Sequence, residues 1–204
     1  MKNLLIALAT LLSLQAYSQT TDEFYDNLKR ELEVIKALNP PDGKDKQVWD
    51  ALESINQEVL QGDSGEITEE TASKLGGMMQ EYAKIKNAHL LILFQFYQAN
   101  VSDNEYNANL QSAICKLMLE DTKAIYGTVP CLVLIYECET LMSIDKNTEA
   151  AEQAKKALKE YPESIPLQIY RHNLTTDEKE KKELHDKLLK EHPNHWMVNR
   201  FLKP

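Results

Sequence analysis

Cysteine is scarce, three residues in 204, and its placement argues against a disulfide-stapled framework. Cys131 and Cys138 lie seven apart on one predicted helix, which separates their Cα atoms by roughly 10 Å, beyond the roughly 7 Å that a disulfide spans. Cys115 remains able to pair with either of them across a helix interface, and all three also read as buried small hydrophobes. Beyond residue 18 no run reaches about 18 apolar residues, which excludes a membrane-spanning helix from that part of the chain. There is no phosphate-cradling glycine loop, nucleophile elbow, metalloprotease helix motif or paired CxxC. Basic residues are outnumbered, 23 Lys and Arg against 32 Asp and Glu. A nucleic-acid or anionic-membrane partner is therefore not expected, since such a surface must neutralise phosphates.

The first 18 residues are set apart from the rest. Lys2 supplies a positive start, Leu4 to Leu14 an apolar core interrupted only by Thr10 and Ser13, and Ala16-Tyr17-Ser18 a small-x-small cleavage site. This is the pattern of a secretory signal peptide, expected to be cut after Ser18, and with Gln19 following it resembles signals of Bacteroidetes-type bacteria. The expected location is periplasmic or secreted. No cysteine follows the apolar core, so lipid anchoring is not expected. Losing Lys2 from the formal charge of −9 leaves about −10 on the remaining chain, which at about 186 residues fits one domain, 19–204.

That domain reads as helical throughout. Phe24, Leu28, Leu32 and Ile35 repeat at helical spacing up to the break at Asn39-Pro40-Pro41. Val48, Leu52, Ile55 and Val59 form a second stripe, with Asp45 as its N-cap and Gly62 as its stop. Thr68 caps a third helix carrying Glu69 and Glu70 in its first turn. Gly76 and Gly77 inside that helix each cost about 1 kcal/mol relative to alanine, for which a close helix crossing, or a hinge beside Met78 and Met79, would compensate. The run His89 to Tyr97 suits a buried strand or a helix buried all round, and its helical neighbours favour the helix. Ser102 and Glu105 form a capping box for the next helix. The N-terminal helices thus occupy 19–100 and a series of hairpins 103–204.

The stretch 131–162 is the most organised. Two helical patterns are joined by Asp145-Lys146-Asn147, and Ala150, Ala154 and Ala157 place small residues on one face of the second. The stretch resembles a tetratricopeptide repeat (TPR). Leu134, Cys138 and Leu141 stand in the large and small slots of its first helix, Ala150 and Ala157 in the alanine slots of its second, and Pro162 in the closing position. Glu137 and Ala154 depart from the pattern, where leucine and a bulky aromatic are usual. A degenerate hairpin precedes this unit, with Ala108, Ser112 and Cys115 repeating the small-residue spacing. Helices 165–174 and 177–190 follow it, and the Tyr161-Pro162 boundary recurs as His192-Pro193. The expected architecture is all-α, with antiparallel hairpins stacked as a short TPR-like α-solenoid.

The resemblance implies a non-enzymatic scaffold of the bacterial cell envelope that binds a protein or peptide. Ligands of such repeats lie on first-helix residues, here Leu132, Ile135, Glu139, Met142 and Ser143, with Glu139 selecting against acidic partners. The alternative is a helical hydrolase or lyase acting on envelope polymers through scattered acids. No cofactor is expected. His172, His185, His192 and His195 are the nearest approach to a metal set, but their spacing offers no convincing third ligand.

Overall fold

The apolar run His89–Tyr97 lies within a helix. In the computed structural model, which describes residues 19–102 and 106–203, it belongs to helix α4, Ala88–Ser102, whose buried residues Leu90, Leu91, Ile92 and Leu93 are consecutive and so point to every side. A helix apolar all round must be enclosed all round. Three helices precede it: α1, Thr21–Leu38; α2, Gln47–Ile55; and α3, Glu69–Gln80. Six follow it: α5, Ala108–Tyr126; α6, Cys131–Ser143; α7, Asn147–Ala157; α8, Ile165–Leu174; α9, Glu178–Glu191; and α10, Trp196–Phe201. The described residues form ten α-helices and no strand, so the protein is all-α. None of these helices is long and apolar enough to cross a membrane.

Local chemistry sets the helix starts. Thr20 and Glu23 close a capping box on α1, the threonine Oγ1 accepting the Glu23 N–H while the glutamate accepts the Thr20 N–H. Thr68 accepts the Thr71 N–H at the start of α3, as the sequence predicts. Asp45 accepts the Gln47 N–H at 3.0 Å before α2. The expected cap at Ser102 is corrected: α4 runs through that residue, and α5 starts instead behind Asn107, whose side chain accepts the Leu110 N–H. Glu105, the other half of that expectation, lies outside the described residues, as does the segment 1–18.

From α4 to α9 each helix packs against the next in chain order, while α1 lies on α4 and α5, and α10 on α8. One apolar cluster joins them, from Phe24 in α1 to Leu202 after α10. Ala150, Ala154 and Ala157 of α7 are all buried, in a helix that packs against both α6 and α8. The alanine face thus admits two neighbours at close range. Leu134 and Cys138 are buried as well, and Glu137, the departure from the repeat pattern, turns its carboxylate to the amide of Gln153 on α7. The three cysteines are free and buried.

Segment 42–65 forms a strap along the starts of the later helices. Asp42 exchanges two hydrogen bonds with the side chain of Asn87, just before α4. Helix α2 packs on α4 and α6, then loosens into a π turn, Asn56–Leu60. Beyond it, Gln61 accepts the N–H of Ile165 at 3.0 Å at the start of α8. The carbonyls of Val59 and Leu60 accept from the Trp196 indole and face His195 Nε2, at 2.8 and 3.1 Å. Gly65 closes the strap with φ at 71°, and its Cα lies so close to the Trp196 ring that a Cβ would come within 2.8 Å of it.

Gly76 and Gly77 correct the expected close crossing: a Cβ built at either meets nothing within 4 Å. No neighbouring helix therefore requires them. Gly76→Ala is expected to raise stability by about 0.5–1 kcal/mol, because it removes unfolded-state freedom without a clash. Ala157→Leu is expected to lower it by about 1–3 kcal/mol through overpacking. Urea denaturation of the two variants beside the parent checks both signs, and an unchanged midpoint for Ala157→Leu would contradict the close packing of α7.

Candidate functional site

Helical spacing on three neighbouring elements converges on one carboxylate. Tyr136, Glu139 and Ser143 sit at i, i+3 and i+7 of α6, and Phe94, Tyr97 and Gln98 share one face of α4. Tyr170 comes from α8. The Tyr97 hydroxyl donates to Glu139 Oε2 at 3.0 Å and the Tyr170 hydroxyl to Glu139 Oε1 at 2.6 Å. The Tyr97 and Tyr136 rings stack with centroids 3.9 Å apart, and Phe94 extends the stack on Tyr136 at 6.4 Å. At the margin, Gln98 donates to the Tyr136 hydroxyl, and exposed Tyr106 donates to Ser143 Oγ.

Glu139 is half-buried. Burial pushes its carboxyl above the ordinary glutamate value, and the hydrogen bonds from Tyr170 and Tyr97 pull it back only in part. Burial and the nearby carboxylate together push the Tyr97, Tyr136 and Tyr170 phenols upward, so they remain protonated donors at neutral pH. Among the described residues no basic side chain pairs with Glu139.

The five first-helix residues expected to bind a ligand are thus divided. Leu132 and Ile135 are fully buried in the core, which removes them from any ligand-facing stripe. Helix α6 packs against α2, α5, α7 and α8, leaving its early turns no open side. Glu139 and Met142 are half-buried, and Ser143 is exposed. The tyrosines around Glu139 were not legible as site residues beforehand, although a signal exists: Tyr136 and Tyr170 are the sixth residues of α6 and α8, which start at 131 and 165.

Other chemical groups do not form a comparable site. His172 and His185 lie together, ring centroids 5.6 Å apart, whereas His195 is buried at the strap and its Nδ1 accepts the Met197 N–H of α10. Among the described residues no group of three or more His, Cys, Asp and Glu side chains is arranged to hold a metal ion. His89 faces Asp121 at 3.5 Å but is only 1% exposed, and burial drives its pKa down to about 3. It is sealed from any dissolved substrate. Burial likewise pushes the thiols of Cys131 and Cys138 up to about 11 and about 12, the opposite of an activated nucleophile. A groove of about 340 Å³ between α2 and α3 carries Asp50, Lys74 and Glu81. There the Lys84 ammonium holds Glu81 below the usual carboxylate range, which is unlike a general acid.

The chain matches no family model, no curated protein and no solved structure.

The raised carboxyl of Glu139 predicts a pH signature. Because the folded protein holds this proton more tightly than the unfolded chain, the stabilisation is present below the ordinary value of 4.5 and is lost as pH rises through the folded value. Denaturant titrations of the parent and of Glu139→Gln between pH 4 and pH 8 should show the parent losing ground to the variant as pH rises. A constant difference across that range would contradict the shift.

Proposed function

We propose that the protein is a non-enzymatic scaffold of the bacterial cell envelope that binds a protein or peptide on the face formed by α4, α6 and α8. In this reading the hairpins α4–α5, α6–α7 and α8–α9 are successive TPR-like units, and residues 1–18 direct the chain to the periplasm or beyond. The observation that carries it is the meeting of three successive first helices at Glu139, which accepts from Tyr97 and Tyr170 while Tyr136 stacks on Tyr97. The three tyrosines are themselves buried, so a partner on this face would meet half-buried Glu139 and Met142 and exposed Gln98, Tyr106 and Ser143. The chain-order packing of α4 to α9 and the 34-residue offset of Tyr136 and Tyr170, equal to the usual TPR period, add support.

The alternative, a hydrolase or lyase of envelope polymers, needs two acids of opposed protonation in one cleft. Glu139 stands with hydroxyl partners and no second carboxylate in hydrogen-bond contact, which favours the scaffold.

The test is capture from a periplasmic extract by the parent and by a Gln98→Ala, Tyr106→Ala double variant, with Lys182→Ala on α9 as a control far from the face. Both changes lie at exposed positions. The expected result is a partner retained by the parent and the control and lost by the double variant, with unchanged thermal unfolding. Equal capture by all three would move the binding surface elsewhere. Cleavage of envelope polymer by the parent, abolished in Glu139→Gln, would replace the scaffold with the enzyme.

A further inference from the structure

We propose that Glu139 is the anchor for a positively charged side chain, lysine or arginine, on an extended peptide laid across α4, α6 and α8. The inference rests on the scaffold reading and adds the chemistry of what is bound. A carboxylate offers about four acceptor positions, and the hydroxyls of Tyr97 and Tyr170 occupy one on each oxygen. The remaining positions suit an ammonium, or a guanidinium spanning both oxygens.

The surroundings favour a cation over a neutral donor. The chain contains 23 Lys and Arg, yet among the described residues none is paired with Glu139. Asp121 and Glu180 take Lys36 at 3.0 Å and Arg171 respectively, while half-buried Glu137 accepts from the Gln153 amide and half-buried Glu58 from Thr71 and Thr68. Among these carboxylates Glu139 is the one held by two tyrosine hydroxyls. Half-buried Phe94 ends an aromatic stack on α4 and α6. An aromatic ring at this margin suits the alkyl stem of lysine or the plane of a guanidinium. Gln98 and Ser143 are exposed nearby, Gln98 donating to Tyr136 and Ser143 accepting from Tyr106. The net charge of −9 steers basic segments toward the protein and acidic ones away.

The experiment titrates the purified, isotope-labelled protein with three acetylated, amidated pentapeptides, Gly-Gly-X-Gly-Gly with X as Arg, Lys or Gln, and follows amide shifts by NMR. The expected result is saturable movement around residues 97, 136, 139 and 170 with the Arg and Lys peptides. The Gln peptide should bind at least about tenfold more weakly, and raising the salt should weaken the first two. Glu139→Gln, whose fold is checked by its spectrum, should erase the preference for the cation. Equal shifts with all three peptides would overturn the cation site and leave the peptide-binding face standing. Failure of all three peptides while the extract still yields a partner lost by the Gln98, Tyr106 variant would do the same. No shift, together with no partner, would overturn both.

Discussion

Five consecutive buried residues, Leu132 to Tyr136, leave α6 without a solvent side over its early turns. Such a helix is stable only where neighbours close every direction, and here α5, α7, α8 and α2 do so. The rest of the arrangement depends on that enclosure. It is possible at short range because Cys138 on α6 and Ala150, Ala154 and Ala157 on α7 let the helices approach closely. It also fixes where α6 becomes accessible: beyond its middle, where Glu139 and Met142 are half-buried and Ser143 is exposed.

This constraint explains which parts of the fold were legible in the sequence. Amphipathic stripes such as Phe24, Leu28, Leu32 and Ile35 predict both a helix and its buried face, because period and burial agree. The hairpin at 131–162 was readable for the same reason, its alanines marking a face with little room. On α6 the signal is ambiguous, since apolar residues on all sides carry no information about which face is left open. Leu132 and Ile135 were therefore placed on a binding stripe that the fold buries. The tyrosine cluster was hidden differently: its members are separated by 39 to 42 residues between α4 and α6 and by 31 between α6 and α8, and only tertiary packing brings them together. Gly76 and Gly77 show the reverse error, a costly local feature with no packing partner to justify it.

Polar groups inside the protein are held in two different ways. Asn87, with φ at 61°, satisfies Asp42 and Tyr126 together from a fully buried position. Glu139 instead is held by neutral donors, an arrangement in which ionising the carboxyl costs solvation energy without an internal counter-charge. Such a group gains from any cation that reaches it. The same desolvation that makes it unfavourable in isolation would strengthen a charged contact made from outside.

The strap at 42–65 has a consequence for the order in which the chain acquires its structure. Its bonds to Ser164 and Ile165 span 103 and 104 residues, and those to His195 and Trp196 span 135 and 137. Hairpins such as α6–α7 close over short loops and can form as soon as they emerge, but the strap's partners follow it by more than 100 residues. During synthesis, therefore, the carbonyls of Val59 and Leu60 and the side chain of Gln61 stay without these partners until residues 164–196 arrive. Closure of the strap is thus a late event in folding, however early the individual hairpins form.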